Sequence, residues 1–206
     1  MNLFDRYYKR YDGWYKKNKF AYLSEVAAIK RILPKGGRGL EIGVGTGRFA
    51  SALGTRYGVD PSKNMLRFAK RRGINVLLSA GERLPFRDRS FSYVTIIITI
   101  CFVNHPKEVL REAKRVLRKG GKLIVGIIDK NSFLGRFYQN KKSVFYKHAR
   151  FFSVNELVSF LKSIGFYKFT FYQTIFDFPD KINKVEEPKK GFGRGGFVAI
   201  GGKKRI

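Results

Sequence analysis

Between Glu41 and Gly47 the chain reads Glu-Ile-Gly-Val-Gly-Thr-Gly, with glycine at three alternate positions. Glycine at 43, 45 and 47 permits a tight turn and close backbone approach, and leaves the free amides of the following helix pointing at a bound polar group. Ordinary loop geometry also calls for glycine, so the meaning of the turn depends on the carboxylates around it. Glu41 stands two residues ahead of Gly43 inside an apolar run, where a carboxylate is costly without a cation or a donor. Asp60 ends the next apolar stretch, where a carboxylate can accept hydrogen bonds from both hydroxyls of a ribose or cap the helix that begins at Ser62. These residue types point to a nucleotide-like ligand. Cys101 is the lone cysteine, and His105 and His148 are the two histidines, so neither a disulfide framework nor a metal cluster is expected. His105, ahead of Pro106, reads as a helix-entry residue and Cys101 as a small apolar one; His148, among aromatic residues, is the weak candidate for a base at a substrate.

The elements that must position these residues follow from apolar spacing. Met1 to Leu33 has helical periodicity, with Phe20, Leu23, Val26, Ala27, Ile29 and Ile32 on the pattern, and Pro34-Lys-Gly-Gly37 stops it. Gly39 to Gly43, Arg56 to Asp60 and Ile74 to Ser79 read as short strands, separated by helices from about Arg48 and from Ser62 to Gly73. Phe91 to Ile100 is nearly continuous β-branched sequence, suited to a central strand covered on both faces. Pro106 opens a helix through Val109, Leu110, Ala113, Val116 and Leu117 that Arg118-Lys-Gly-Gly121 closes, and Lys122 to Ile128 is a fifth strand. Residues 129–150 have no clean period and read as a partly helical cover segment. Ser153 with Glu156 forms a capping box for a helix ending at Gly165; Tyr167 to Phe176 and Gly196 to Gly201 are two last strands, joined by a loop and therefore antiparallel. The expectation is one α/β domain over 1–206: a Rossmann-like three-layer sandwich around a mostly parallel, seven-stranded sheet whose last strand is antiparallel. Residues 1–35 form its N-terminal helical cover.

Four segments in order, LEIGVGTGRF at 40–49, GVDPSKNML at 58–66, AGERLPFRDRSF at 80–91 and PKEVLREAKRVLRKGGKLIVG at 106–126, resemble the class I S-adenosylmethionine (SAM) methyltransferases. The resemblance extends over nearly the whole chain and lies with the branch that includes the ubiquinone and menaquinone biosynthesis enzymes. It implies SAM as cofactor and S-adenosylhomocysteine as product. Residue by residue, it implies that Glu41 receives the methionine end, Gly43, Gly45 and Gly47 line the cofactor, and Asp60 binds ribose. Pro61, Ser62 and Met65 would flank the adenine, Gly81 and Glu82 would meet its edge, and Ile98 and Thr99 would approach the sulfonium. Ala80 and Ser92 depart from acidic residues that the family often carries, which weakens the adenine assignment. The aromatic opening Tyr7, Tyr8, Tyr11, Trp14 and Tyr15 is similar to the family's N-terminal cover over the cofactor, and its rings suit a sulfonium. Tyr11, Trp14, Tyr15, Cys101, Phe145 and His148 are the candidate cover and acceptor-side residues. In-line methyl transfer is chiefly positioning and desolvation, so no general base is required.

The formal charge of +28, from 43 Lys and Arg against 15 Asp and Glu, is a field that attracts polyanions, yet the cations are spread along the chain in a thermophile-like surface composition. Two acceptors therefore stay open: a small or lipid-like molecule, favoured by the Phe- and Tyr-rich cover, and RNA, favoured by the charge. A non-catalytic nucleic-acid-binding protein on the same scaffold is a further alternative, and an NAD oxidoreductase the most distant. The start of the chain lacks the apolar run of a signal peptide and no stretch reaches spanning length, so a cytoplasmic protein is expected.

Overall fold

The computed structural model describes residues 3–205, and the N-terminal periodicity gives two helices there, α1 (Leu3–Lys17) and α2 (Lys19–Lys30), meeting at Asn18. Strand and helix then alternate: β1 (Gly39–Ile42), α3 (Arg48–Leu53), β2 (Tyr57–Asp60), α4 (Lys63–Arg71), β3 (Asn75–Leu78), β4 (Phe91–Ile97), α5 (Pro106–Val116) and β5 (Leu117–Ile128). The cover contains α6 (Phe133–Asn140) and a single 3₁₀ turn at Tyr146–His148. The chain ends with α7 (Val154–Ser163), β6 (Phe166–Thr174), β7 (Lys189–Lys190) and β8 (Phe197–Lys204).

The strands lie in the order β3-β2-β1-β4-β5-β8-β6-β7. β1 to β5 are mutually parallel, and β8 enters antiparallel between β5 and β6. The seven expected strands are all present; the eighth, β7, is a two-residue lysine pair on the edge of β6, too short and too charged to show a strand pattern. The β-branched run of β4 is covered on both faces as expected: Val94 and Ile96 pack with α5 and α7 through Val109, Leu110, Leu157 and Leu161, whereas Tyr93 and Ile97 pack toward α2 and α6 through Ile29 and Leu134. Each such fully buried aliphatic side chain contributes about 1.5–3 kcal/mol. The capping box predicted at Ser153 forms, with Ser153 Oγ accepting from the Glu156 amide and the Glu156 carboxylate accepting from the Ser153 amide.

Two boundaries differ from expectation. β4 stops at Ile97 and does not run to Ile100, because Ile98 takes a left-handed backbone (φ 49°) while its N–H donates to the Gly126 carbonyl. Likewise α5 ends at Val116 and Arg118 to Gly121 lie outside it: Leu117 is extended and pairs with Phe91, so the residues read as a helix terminus join β5. Among the described residues no helix is long and apolar enough to cross a membrane.

Candidate active site

β1, β2 and β4 bring their C-terminal ends together in the middle of the sheet, and there the sequence-predicted residues converge. Glu41 sits in β1 between Gly58 of β2 and Thr95 of β4, only 1% exposed. Its Oε2 has no hydrogen-bond partner, and no ion pair involves it among the described residues. Burial, reinforced by the charge of Asp60 and opposed by the Thr95 hydroxyl, holds its pKa well above the usual carboxylate range. An orphaned carboxyl of this kind is costly and is the feature a cationic ammonium would complete.

The turn after β1 is closed by Gly43 and Val44 donating to the Val59 carbonyl at 2.8 and 2.9 Å. Gly43 (φ 70°) leaves no room for a side chain: a Cβ there would lie 2.1 Å from Thr99 Cγ2. At Gly47 the constraint is helix packing, since a Cβ would lie 2.8 Å from Ala69 Cα, whereas at Gly45 only the Tyr11 ring is near, at 3.7 Å. Gly45 N–H donates to Asp60 Oδ2 at 3.0 Å, and Ser62 N–H donates to Oδ1 at 2.9 Å. Asp60 therefore steadies both the glycine turn and the start of α4, where Ser62 is the N-cap and its Oγ accepts from the Met65 amide. Despite those two donors, burial raises the Asp60 pKa to about 6.

Other predicted residues have structural duties. Pro61 is exposed, while Met65, on the buried face of α4, is only 1% exposed. Gly81 presses on β1, where a Cβ would meet Ile42 Cγ2 at 2.8 Å, and Glu82 Oε1 accepts from the His105 amide at 3.4 Å. Ser92 lies at the start of β4, the end of the strand opposite Ile98, and its Oγ is engaged by the Arg38 amide and the Arg118 side chain. It belongs to the far end of the sheet and bears on no adenine contact there.

Next to the turn, across Tyr11 and Ile98, is a cavity of about 220 Å³ roofed by α1 and by the cover segment. Tyr11, Trp14, Tyr15, Cys101 and Phe145 line it as expected; His148 does not, and is exposed on the 3₁₀ turn. Tyr15 OH donates to Tyr11 OH at 2.8 Å, and burial raises the pKa of both phenols. Burial likewise pushes the Cys101 thiol up to about 12, which keeps it a thiol and not a nucleophile. Among the lining residues that sequence reasoning missed are Tyr138 and Tyr146, which stack at 4.3 Å, and Glu25 of α2. Glu25 is 2% exposed, its Oε2 has no partner, and burial lifts its pKa to about 8. The signal was its place on the buried face of α2, one turn after Ala21 and one before Ile29.

The sheet with its inserted antiparallel strand, and a glycine turn between two buried carboxyls at the parallel strand ends, define a Rossmann-like protein built for a nucleoside-bearing ligand. A family model described as "Methyltransferase domain" matches residues 40–125. A solved SAM-dependent methyltransferase of Thermotoga maritima, known as a possible histamine N-methyltransferase, is 49% identical, with 98% of this chain and 99% of that one covered at a TM-score of 0.96. The chain belongs to the class I SAM-dependent methyltransferases and is an enzyme of that kind using SAM. An uncharacterized protein of Methanocaldococcus jannaschii is 51% identical over 99% of this chain and 100% of its own length. The demethylmenaquinone methyltransferase of Renibacterium salmoninarum is 38% identical over 48% of this chain and 44% of its own. The residues present fit the cofactor: Glu41 offers a buried carboxyl with an unpartnered Oε2, and Gly45 an open backbone beside Tyr11.

Proposed function

We propose that this enzyme methylates a small, largely apolar molecule held in the aromatic cavity beneath α1 and α6. The carrying observation is the cavity itself: enclosed between α1, α2, α6 and the cover segment, lined by Tyr11, Trp14, Tyr15, Tyr138, Tyr146 and Phe151, and adjoining the glycine turn through Tyr11. Its size suits a compact acceptor better than a polymer strand. In this reading Glu41 receives the cofactor's ammonium, Gly43, Gly45 and Gly47 line its methionine and ribose portions, and Asp60 takes the ribose hydroxyls. The Gly81-Glu82 backbone meets the adenine edge, and Ile98 and Thr99 face the sulfonium. SAM supplies an electrophilic methyl group there; the protein orients the acceptor and excludes water.

The relative known as a possible histamine N-methyltransferase supports a small acceptor. The charge of +28 favours RNA instead, and one experiment separates the two. With radiolabelled SAM, label is expected in the small-molecule fraction of a cell extract and not in RNA; label in RNA alone would overturn the reading.

A further inference from the structure

We infer that Glu25 is the acceptor-binding carboxylate of this enzyme, and that the acceptor it selects is an amine with an apolar or aromatic body, methylated on nitrogen. This rests on the small-acceptor reading above. The geometry is that of a site awaiting a cation: a carboxyl on α2, 2% exposed, lining the cavity, with no hydrogen-bond partner for Oε2. Tyr11 and Tyr15 of α1, Tyr22 of its own helix and Tyr138 of α6 are all close enough to feel its charge. Electron-rich rings around one carboxylate are the chemistry that recognises an ammonium group. An ammonium draws the carboxyl into its ionised form and compensates it; a neutral hydroxyl gains nothing from that ionisation, and an anion would be repelled by it.

The other ionisable side chains lining the cavity are Cys101, Tyr146, Arg10, Lys141 and Lys142. The three basic residues are exposed, so solvent and salt screen them, and they do not pair with Glu25. The charges of Glu25 and Glu41 both act on Tyr15. Two buried carboxyls, each with an unpartnered Oε2, thus act on Tyr15, one for the cofactor's ammonium and one for the acceptor's.

The chemistry balances. An ammonium acceptor gives its proton to the Glu25 carboxylate and becomes a neutral amine. The nitrogen lone pair then forms the N–C bond to the sulfonium methyl while the S–C electron pair returns to sulfur. The N-methylammonium product departs with its charge, and the protonated Glu25 releases its proton to solvent. Burial poises Glu25 for this exchange, since a carboxyl titrating at about 8 accepts a proton from an ammonium far more readily than a solvated one.

Calorimetry on the S-adenosylhomocysteine complex tests the inference with phenethylamine and histamine against phenethyl alcohol and phenylacetate. The amines are expected to bind with affinity rising about tenfold per pH unit up to about 8, and with proton release to the buffer at pH 7, because Glu25 must ionise to receive them. Glu25→Gln should lower amine affinity at least about tenfold, flatten the pH dependence and leave S-adenosylhomocysteine binding intact. The wild-type pH profile and proton release stand whether or not the variant folds. Alcohol bound as well as amine, or amine binding that is independent of pH in wild type, overturns the role of Glu25 while leaving a small acceptor in place. Absence of binding by every probe, together with methyl label in RNA, overturns both.

Discussion

At the scale of single residues, the site is organised by carboxyl groups whose burial is only partly compensated. Asp60 is the measurable case. Burial raises it to about 6, against the pull of the Ser62 and Gly45 amides. The folded-state value lies above the unfolded one of about 3.9, so its ionisation works against the fold once pH passes 4, and reaches full effect above 6. Ligand binding has the opposite sense, because ribose hydroxyls donate to the ionised form. The contribution of Asp60 to S-adenosylhomocysteine affinity should therefore fall by about tenfold per pH unit below about 6 and level off above it, where any further rise belongs to Glu41, measured calorimetrically from pH 5 to 8. Affinity flat across that range would remove Asp60 from ribose binding. That Glu41, Gly43 and Asp60 lie together was legible in the sequence because the glycine turn follows one apolar stretch carrying a carboxylate and the next such stretch ends in another. Glu25 was not, since a lone glutamate within an otherwise apolar helical pattern looks like a solvated position until the helix is docked. Ser92 was placed correctly at the start of β4, but its bearing on the adenine contact was not, because that end of the strand lies opposite Ile98 and its hydroxyl is taken by Arg38 and Arg118.

At the scale of elements, the question is what holds α1 over the cavity. Asp12 lies between Arg48 of α3 and Arg72 after α4, at 2.7 and 3.0 Å, and Asp5 accepts from Ser62 Oγ and the Asn64 amide at the start of α4. Burial opposes the charge on Asp12, but the Arg48 hydrogen bond and the two guanidinium charges prevail and hold it at about 2. This lowered pKa contributes stability that is present above about 4 and lost as pH falls toward 2. Asp12→Ala leaves two partly buried guanidiniums facing each other and should cost about 2 kcal/mol, or roughly 4–8 °C in Tm. Hydrogen exchange should speed up across α1 and S-adenosylhomocysteine should bind more weakly; an unchanged α1 exchange rate would mean the latch is ornamental. Element type was readable from periodicity because buried strands and amphipathic helices each have their own. The ends were not, since Ile98 leaves β4 for a hydrogen bond to Gly126 and Leu117 joins β5 by pairing with Phe91, both long-range events.

At the scale of the whole molecule, part of the positive charge is gathered in a way that composition conceals. Lys122 and Lys203 face each other directly across β5 and β8, and Lys204 donates to the Lys114 and Leu117 carbonyls. Burial first, then the neighbouring cations, lowers the pKa of Lys122 and Lys204. With exposed Arg118, Lys119 and Arg205, they concentrate cations where β4 and β5 begin, at the opposite end of the sheet from Glu41, Asp60 and Ile98. A polyanion drawn there would sit away from the methyl group. Transfer RNA should accordingly bind with a salt slope that falls by ~0.7–0.9 for each cation removed by Arg118→Glu, Lys119→Glu and Lys203→Glu. The same substitutions should leave S-adenosylhomocysteine affinity unchanged, and Lys203→Glu should raise Tm by replacing a repulsion with a pair to Lys122. If instead RNA displaces S-adenosylhomocysteine, or the three reversals abolish methyl transfer, the basic end and the active site work together, and the charge belongs to the reaction after all.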